Sequence, residues 1–259
     1  MTAALTVTYL GGPTALLELA GVRLLTDPTF DPPGEYPIGA RKLVKTGSPG
    51  LDAEEVGLVD AVLLSHDQHP DNLDHGGRAW LARQPLALST AAARERLGGP
   101  VRALAPWETT EVARPDGGTL TVTAVPAQHG PDGSEPLTGP VLGFVLSGEG
   151  LPTVYVSGDN ASLDVVRSIA GRFPSVDVAV LFAGAAQTPV VPGAHLTLSS
   201  EDAAAAAELL GAGTVVPVHF EQWAHFTEGR DTLAPAFDKR GLGDRLRLLP
   251  PGGRTVIEP

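Results

Sequence analysis

All seven histidines of this chain fall in four short clusters. The first reads Ser65-His66-Asp67-Gln68-His69-Pro70-Asp71-Asn72-Leu73-Asp74-His75. The others are Gln128-His129, Ala194-His195-Leu196, and His219-Phe220 with Trp223-Ala224-His225 close behind. A piece without histidine, Ser157-Gly158-Asp159-Asn160, lies between the second and third. Imidazole nitrogens and carboxylate oxygens are the donors that a borderline divalent cation such as zinc takes. His66, His69 and Asp71 place three such donors within six residues. There is no cysteine, so the ligands must be nitrogen and oxygen, and thiolate catalysis is excluded. The chemistry implied is hydrolysis by metal-activated water.

Elements able to carry these donors can be read around them. Alternating apolar residues predict strands over Leu5–Leu10, Ala15–Leu19 and Val22–Leu25, the last ended by Asp27-Pro28. Residues 28–56 are rich in Pro and Gly and read as a long loop with little regular structure. Val59–Leu64 is an apolar run just ahead of His66, as a buried strand feeding a site at its end would be. Helical spacing appears at 74–83, 90–97, 161–172, 199–210 and 229–240, the fourth opened by Ser199-Ser200-Glu201-Asp202. Further strands are expected at 101–105, 119–125, 141–147, 153–157, 176–182, 214–218 and 245–249. Donors come from both halves and must converge, which argues for one domain over 1–259. Simpler roles stand beside the metal reading: Asp71 or Asn72 as a helix cap, Asp159 as a cap for the helix near 161, His219 as a core histidine.

Composition narrows the partners. A net charge of −12 argues against nucleic-acid or anionic-membrane binding, which need a basic face, and leaves a small-molecule substrate. No apolar run approaches the roughly 20 residues of a membrane span. The chain starts directly in a strand-like segment, so a soluble, cytoplasmic protein is expected.

In these motifs the chain resembles the metallo-β-lactamase superfamily, and within it the ascorbate-6-phosphate-lactonase-like branch of metal-dependent hydrolases. The likeness takes in Thr26-Asp27-Pro28, Leu64-Ser65-His66, Pro126-Ala127-Gln128-His129, Tyr155-Val156-Ser157-Gly158-Asp159 and Val216-Pro217-Val218-His219. It implies an α+β fold, a four-layer αβ/βα sandwich of two mixed sheets with helices outside. The family pattern is H-x-H-x-D-H, then single His, Asp and His residues. Carried over, His66, His69 and His129 match ligands of a first metal. Asp71, Asp159 and His219 match a second, with Asp159 bridging. The chain departs from the pattern twice: one extra residue separates His66 from His69, and Asn72 stands where the last motif histidine belongs. An amide oxygen is a poorer ligand than imidazole, so a second ion should bind less tightly. His75 is a substitute donor or an exposed helical histidine.

The cofactor expected is Zn²⁺, one or two ions, with Mn²⁺ as the alternative. The expected reaction is attack by a metal-bound hydroxide on a small lactone, other ester or amide, with Asp71 orienting the nucleophile and shuttling its proton. His195 or His225, on rim loops, is the candidate acid for the leaving group. Asp27 is expected to accept a ligand histidine's second N–H, or else to form an Asp-Pro turn. Glu35 and Tyr36 are candidate lid residues; Trp223 and Phe220 are candidates for a pocket wall, core packing being the alternative for Phe220. A phosphodiesterase would need a basic cluster, for which Arg41, Lys42 and Lys45 are the candidates. A degenerate, non-hydrolytic member of the fold is the reading that the Asn72 departure motivates.

Overall fold

The computed structural model describes residues 2–39 and 41–258. Strands β1 (Leu5–Gly11), β2 (Thr14–Leu19) and β3 (Val22–Thr26) form an antiparallel meander of largely buried side chains. The segment expected to lack regular structure holds an antiparallel hairpin, β4 (Gly34–Ile38) and β5 (Arg41–Lys45), and a one-turn helix α1 (Ala53–Val56). Proline obscured the hairpin in the sequence. Pro37 sits in a separate two-stranded ribbon, where a missing N–H is tolerated. Helix α1 opens on a reciprocal capping box between Asp52 and Glu55.

The chain continues through β6 (Ala61–Leu63), α2 (His75–Leu81), β7 (Ala87–Ser89), α3 (Ala91–Leu97) and β8 (Val101–Ala103). Then come β9 (Thr109–Ala113), β10 (Thr119–Pro126), α4 (Glu135–Thr138), β11 (Leu142–Ser147) and β12 (Val154–Val156). The last elements are α5 (Leu163–Arg172), β13 (Val178–Phe182), α6 (Ser200–Leu210), β14 (Thr214–Val218), α7 (Arg230–Lys239) and β15 (Arg254–Ile257). The five longer helices lie where the apolar periodicity puts them. In place of the strand expected at 245–249, a 3₁₀ turn (Gly243–Arg245) is followed by a single bridge from Leu246 to Val215. Strands β7, β9 and β15 escape the sequence reading. β15 pairs with β1 but shows no buried face, so it leaves no apolar pattern to find.

Two mixed sheets result, ordered β15-β1-β2-β3-β6-β7-β8 and β14-β13-β12-β11-β10-β9. Side chains of both sheets fill a continuous core between them, which also takes in apolar residues of α5, α6 and α7. A smaller cluster joins Trp80 and Leu81 of α2 to Leu16, Leu25 and Val62 of the first sheet. The layering is therefore helix, sheet, sheet, helix: the α+β sandwich of the metallo-β-lactamase fold. Each sheet has a parallel half, β3-β6-β7-β8 in one and β12-β13-β14 in the other. Loops leaving the carboxyl ends of parallel strands are where α/β architectures place ligand sites, and the clusters after β6, β12 and β14 follow such strands, whereas Gln128-His129 follows the antiparallel β10. Among the described residues, no helix is long and apolar enough to cross a membrane.

Candidate metal centre

His66 and His69 lie on the loop after β6, and His129 follows the end of β10. Nδ1 of His69 stands 3.0 Å from Nε2 of His66 and 3.2 Å from Nε2 of His129. Outer contacts fix which nitrogens carry protons. Nδ1 of His129 is 2.8 Å from the Leu196 carbonyl and must donate to it. The Ser65 hydroxyl donates to Oδ2 of Asp27 at 2.6 Å, so it accepts from Nδ1–H of His66 at 2.9 Å. Nε2 lone pairs of His66 and His129 are thus both aimed at His69. A single N–H on His69 is the one protein hydrogen left for three nitrogens, whereas a divalent cation would take all three lone pairs. Burial, reinforced by the neighbouring histidines, lowers His66 well below its ordinary value; burial and His129 bring His69 down to about 4. Both stay neutral donors near pH 7.

A second group forms beside the first. Nε2 of His219, just past β14, is 3.4 Å from both Oδ2 of Asp71 and Oδ1 of Asp159. The other oxygen of Asp159 is 3.4 Å from Nε2 of His129, so this carboxylate spans the two groups. Gly158 makes the close approach feasible: at φ 58°, any Cβ there would meet the Leu142 carbonyl at 2.4 Å. His219 itself adopts φ 56°, a strained choice for a bulky residue, and its ring packs between Phe182 and Phe226. Oδ1 of Asp71 and both ring nitrogens of His219 are buried without a hydrogen-bond partner. Buried, unpartnered atoms beside two carboxylates suit a divalent cation, and the donor set fits one. Burial disfavours charge on His219, but Asp159 and Asp71 outweigh it and raise the imidazole to about 10. Burial likewise works against both carboxylates, and the adjacent histidines overcome it, holding each well below the usual range.

The remaining sequence candidates are placed as follows. Asn72 is buried, and its Nδ2 donates to Asp27 (3.1 Å) and to Asp159 (3.2 Å), while Oδ1, the atom expected to coordinate, is buried without a hydrogen-bond partner. His75 is exposed at the start of α2, against Tyr36 and away from both groups. His195 is the clearest departure: it lines a separate surface depression with Arg167 and Asp202, and its neighbour Leu196 turns inward instead. His225 does reach the centre, with Nε2 3.0 Å from Oδ2 of Asp71. Asp27 acts on His66 through the Ser65 hydroxyl, not directly, a relay the sequence reading missed although Ser65 stood in the motif. Burial pushes the Asp27 carboxyl up to about 7 against the hydrogen bonds from Ser65 and Asn72. Helix caps are Asp74 and Ser162, which leaves Asp71, Asn72 and Asp159 free of that duty. Phe220 stacks on Tyr9 in the core, and Trp223 packs under Tyr36 and His225 without forming cavity wall.

His69, Asp71, His129 and His225 floor a cavity of about 50 Å³. Ile38 and Leu43 of the β4–β5 hairpin, Leu137 of α4, Val190 and Leu196 supply apolar walls. The hairpin therefore covers the centre, but not through Glu35, which pairs with Lys42, or Tyr36, which is buried. Arg41 is the one cationic wall residue, its Nη1 2.6 Å from the Thr188 hydroxyl. A larger cleft of about 740 Å³ runs along the β10 and α3 side and touches the donor groups only at His129. Chemistry belongs to the smaller cavity, which holds donors of both groups.

Comparison with known proteins finds likeness over most of the chain. The family model described as "Beta-lactamase superfamily domain" matches residues 22–220. A "UPF0173 metal-dependent hydrolase" of Pelotomaculum thermopropionicum is 31% identical over 234 residues, covering 83% of this chain and 92% of that protein. Among solved structures, an isothiocyanate hydrolase from Delia radicum gut bacteria superposes with a TM-score of 0.80 at 22% identity, over 96% of this chain and 98% of its own. A possible metal-dependent hydrolase from Veillonella parvula gives 0.82 at 20% identity, with the same coverages of 96% and 98%.

Proposed function

The chain belongs to the metallo-β-lactamase superfamily, in its UPF0173 metal-dependent hydrolase family, and from that premise we propose a hydrolase of small, largely apolar lactones, other esters or amides. One observation carries the reading: two groups of metal donors, joined by Asp159, floor a narrow cavity with apolar walls. His66, His69 and His129 would hold one ion and Asp71, Asp159 and His219 the other. A nitrogen-only set suits Zn²⁺, while the oxygen-rich set also accepts Mn²⁺. Bound divalent ions supply activated water near neutral pH and polarise the oxygen of the scissile group.

The protein's own groups do the rest. Oδ1 of Asp71 is buried, charged and without a protein partner, so it can hold the attacking water and relay its proton to the leaving group. Neighbouring histidines make this carboxylate a weak base, which suits a relay better than a proton store. Apolar walls exclude bulk water and orient an uncharged substrate. His195 does not line this cavity but a separate depression, so no role in the reaction is assigned to it.

A phosphodiesterase has less support. Of its three candidate cations, Lys45 is buried on Asp74 at 2.9 Å and Lys42 pairs with Glu35, which leaves Arg41 alone at the wall. The decisive assay compares the parent protein with His66→Ala and Asp159→Ala on a panel of a lactone, a short ester, an amide, a short-chain isothiocyanate and bis-nitrophenyl phosphate. The isothiocyanate is included because a structure of the same fold is described as an isothiocyanate hydrolase. Turnover of a carbonyl substrate that disappears in both variants is expected. Equal activity in all three proteins would overturn the reading, and preference for the phosphate diester would move it to the second class.

A further inference from the structure

Cavity size and the side chains at its mouth set the shape that a substrate must have. About 50 Å³ is room for a few waters, far below the roughly 300–1,000 Å³ of a site that encloses a whole small-molecule ligand. A scissile group with its attacking water fills that space. The remainder of a substrate has to lie outside, across the rim.

The rim is apolar and exposed. Among the described residues five large apolar side chains stand exposed. Two of them, Leu137 (62% exposed) and Val190 (40%), line this one cavity from segments far apart in the chain. A single exposed leucine carries no message, whereas apolar side chains that converge beside a ligand cavity mark a binding surface. We propose that Leu137 and Val190 bind an apolar tail of the substrate, so that the protein selects carbonyl compounds with a hydrocarbon chain outside a small scissile head. This rests on the hydrolase reading of the same cavity.

Both positions are anchored to the donor loops. Helix α4, which carries Leu137, is fixed at each end. The Ser134 hydroxyl donates to the His129 carbonyl at 2.9 Å, and Nε2 of Gln68, on the histidine loop, donates to the Thr138 carbonyl at 3.0 Å. The stem of the Val190 loop is tied by Gln187 N–H to the His225 carbonyl at 3.1 Å and by Leu196 N–H to the Ala186 carbonyl at 2.8 Å. Charge points the same way. Of the described residues lining the cavity, the one carboxylate is Asp71 on the floor, and the one lysine or arginine is Arg41, already engaged with Thr188. A rim without carboxylates has nothing to hold a cationic tail, and apolar side chains from two segments favour an uncharged one.

Chain-length dependence tests this, by binding first and then by turnover. NMR titration with 2-pentanone, 2-heptanone and 2-nonanone reads the tail alone, because these ketones offer a carbonyl and no leaving group. A fully buried methylene is worth about fourfold in affinity, and one covered on a single side about twofold. Affinity for the parent protein should therefore rise about twofold per methylene. The rise should flatten in Leu137→Ser/Val190→Ser, and persist in Val256→Ser, an exposed valine of the edge strand β15 outside the cavity lining. The single variants, each flattening it in part, serve if the double variant does not fold. kcat/KM on γ-lactones of lengthening side chain should follow the same slope. A flat ketone series in the parent, or equal slopes in the parent and the double variant, would overturn the proposal. It would also fall if the series is flat and the parent is a dimer that the double variant makes monomeric, since the rim would then belong to a second copy of the chain. A rising ketone series without turnover of any carbonyl substrate would support the apolar-tail site and overturn the hydrolase reading instead.

Discussion

The two donor groups sit side by side but are held in different ways. His66 and His129 are each steered from behind, one by the Ser65–Asp27 relay and the other by the Leu196 carbonyl. His219 has no such support: both ring nitrogens lack hydrogen-bond partners, and the residue depends on a left-handed backbone and flanking phenyl rings. The first group is organised by outer hydrogen bonds, so its lone pairs are aimed before a cation arrives. In the second, charge does the holding, with two carboxylates drawn to one imidazole. Removing the cation should therefore leave the first group in place and let a proton stand in at the second.

The sharpest break of this contrast is at the residue common to both groups. Asp159→Ala removes an oxygen from each side and should abolish binding of both ions. Loss of activity of about 10²–10³-fold is expected, the scale seen when a charge-stabilising group is deleted from a catalytic site. His219→Ala should instead cost one ion. Metal analysis and kcat/KM on the best substrate of the panel distinguish the two, and equal metal loss in both variants would remove the separation of the groups.

Next in size is the outer support of the first group. Ser65→Ala cuts the link from Asp27 to His66 and leaves Nδ1 of His66 without its acceptor. Loss of a partner of this kind weakens metal affinity by about 10–100-fold. The weakening should fall on the His66–His69–His129 site and spare the other, as read by competitive chelator titration. Loss at the second site alone would show that the relay steers something else.

Much of this was legible from residue types alone, because histidine clusters placed after apolar strands leave few alternatives. Five long helices and most strands follow from periodicity, and all six donors of the two groups stand in the quoted motifs. The β4–β5 hairpin was hidden because its proline and glycine content reads as loop, although its ribbon tolerates both. Distance in space was hidden too. His195 and Leu196 are adjacent in sequence, yet one faces outward and the other lines the cavity, and only the path of the loop decides which. Asn72 was visible as a departure, but its two hydrogen bonds required Asp27 and Asp159 to be brought together.

Acidity gives a third separation. In the metal-free protein His219 is raised to about 10, so folding favours its charged form. That contribution is complete below the ordinary value of about 6.5 and is lost as pH rises from there through 10. His69, lowered to about 4, acts oppositely: its neutral form costs stability as pH falls from 6.5 toward 4. Asp27, raised to about 7, offsets part of that acid-side loss, because its protonated form is favoured as pH falls from 7 toward 3.8. The alkaline side is therefore the cleaner test. Melting temperatures of metal-free protein should decline between pH 6.5 and 10, and Zn²⁺ should flatten the decline by replacing the proton. A flat alkaline profile without metal would show that His219 is not held by charge.

The smallest effect concerns the extra residue between His66 and His69. Asp67 is buried on that loop and is gripped by Arg96 of α3, whose Nε lies 2.9 Å from Oδ2 and whose Nη2 also reaches Oδ1 and the side chain of Gln68. A planar fork suits this two-point grip in a way that a lysine cannot copy. The lengthened loop is thereby pinned so that both imidazoles still meet at 3.0 Å. Arg96 is half exposed and touches no donor atom, so Arg96→Ala should loosen the loop without unmaking it. Affinity at the first site should fall by about tenfold, the lower end for an outer partner. Arg96→Lys should behave like the alanine variant, and the second site should be unchanged in both. If instead Arg96→Lys binds as the parent does, charge alone would be holding Asp67, and the forked geometry would have no bearing on how this chain accommodates its longer histidine spacing.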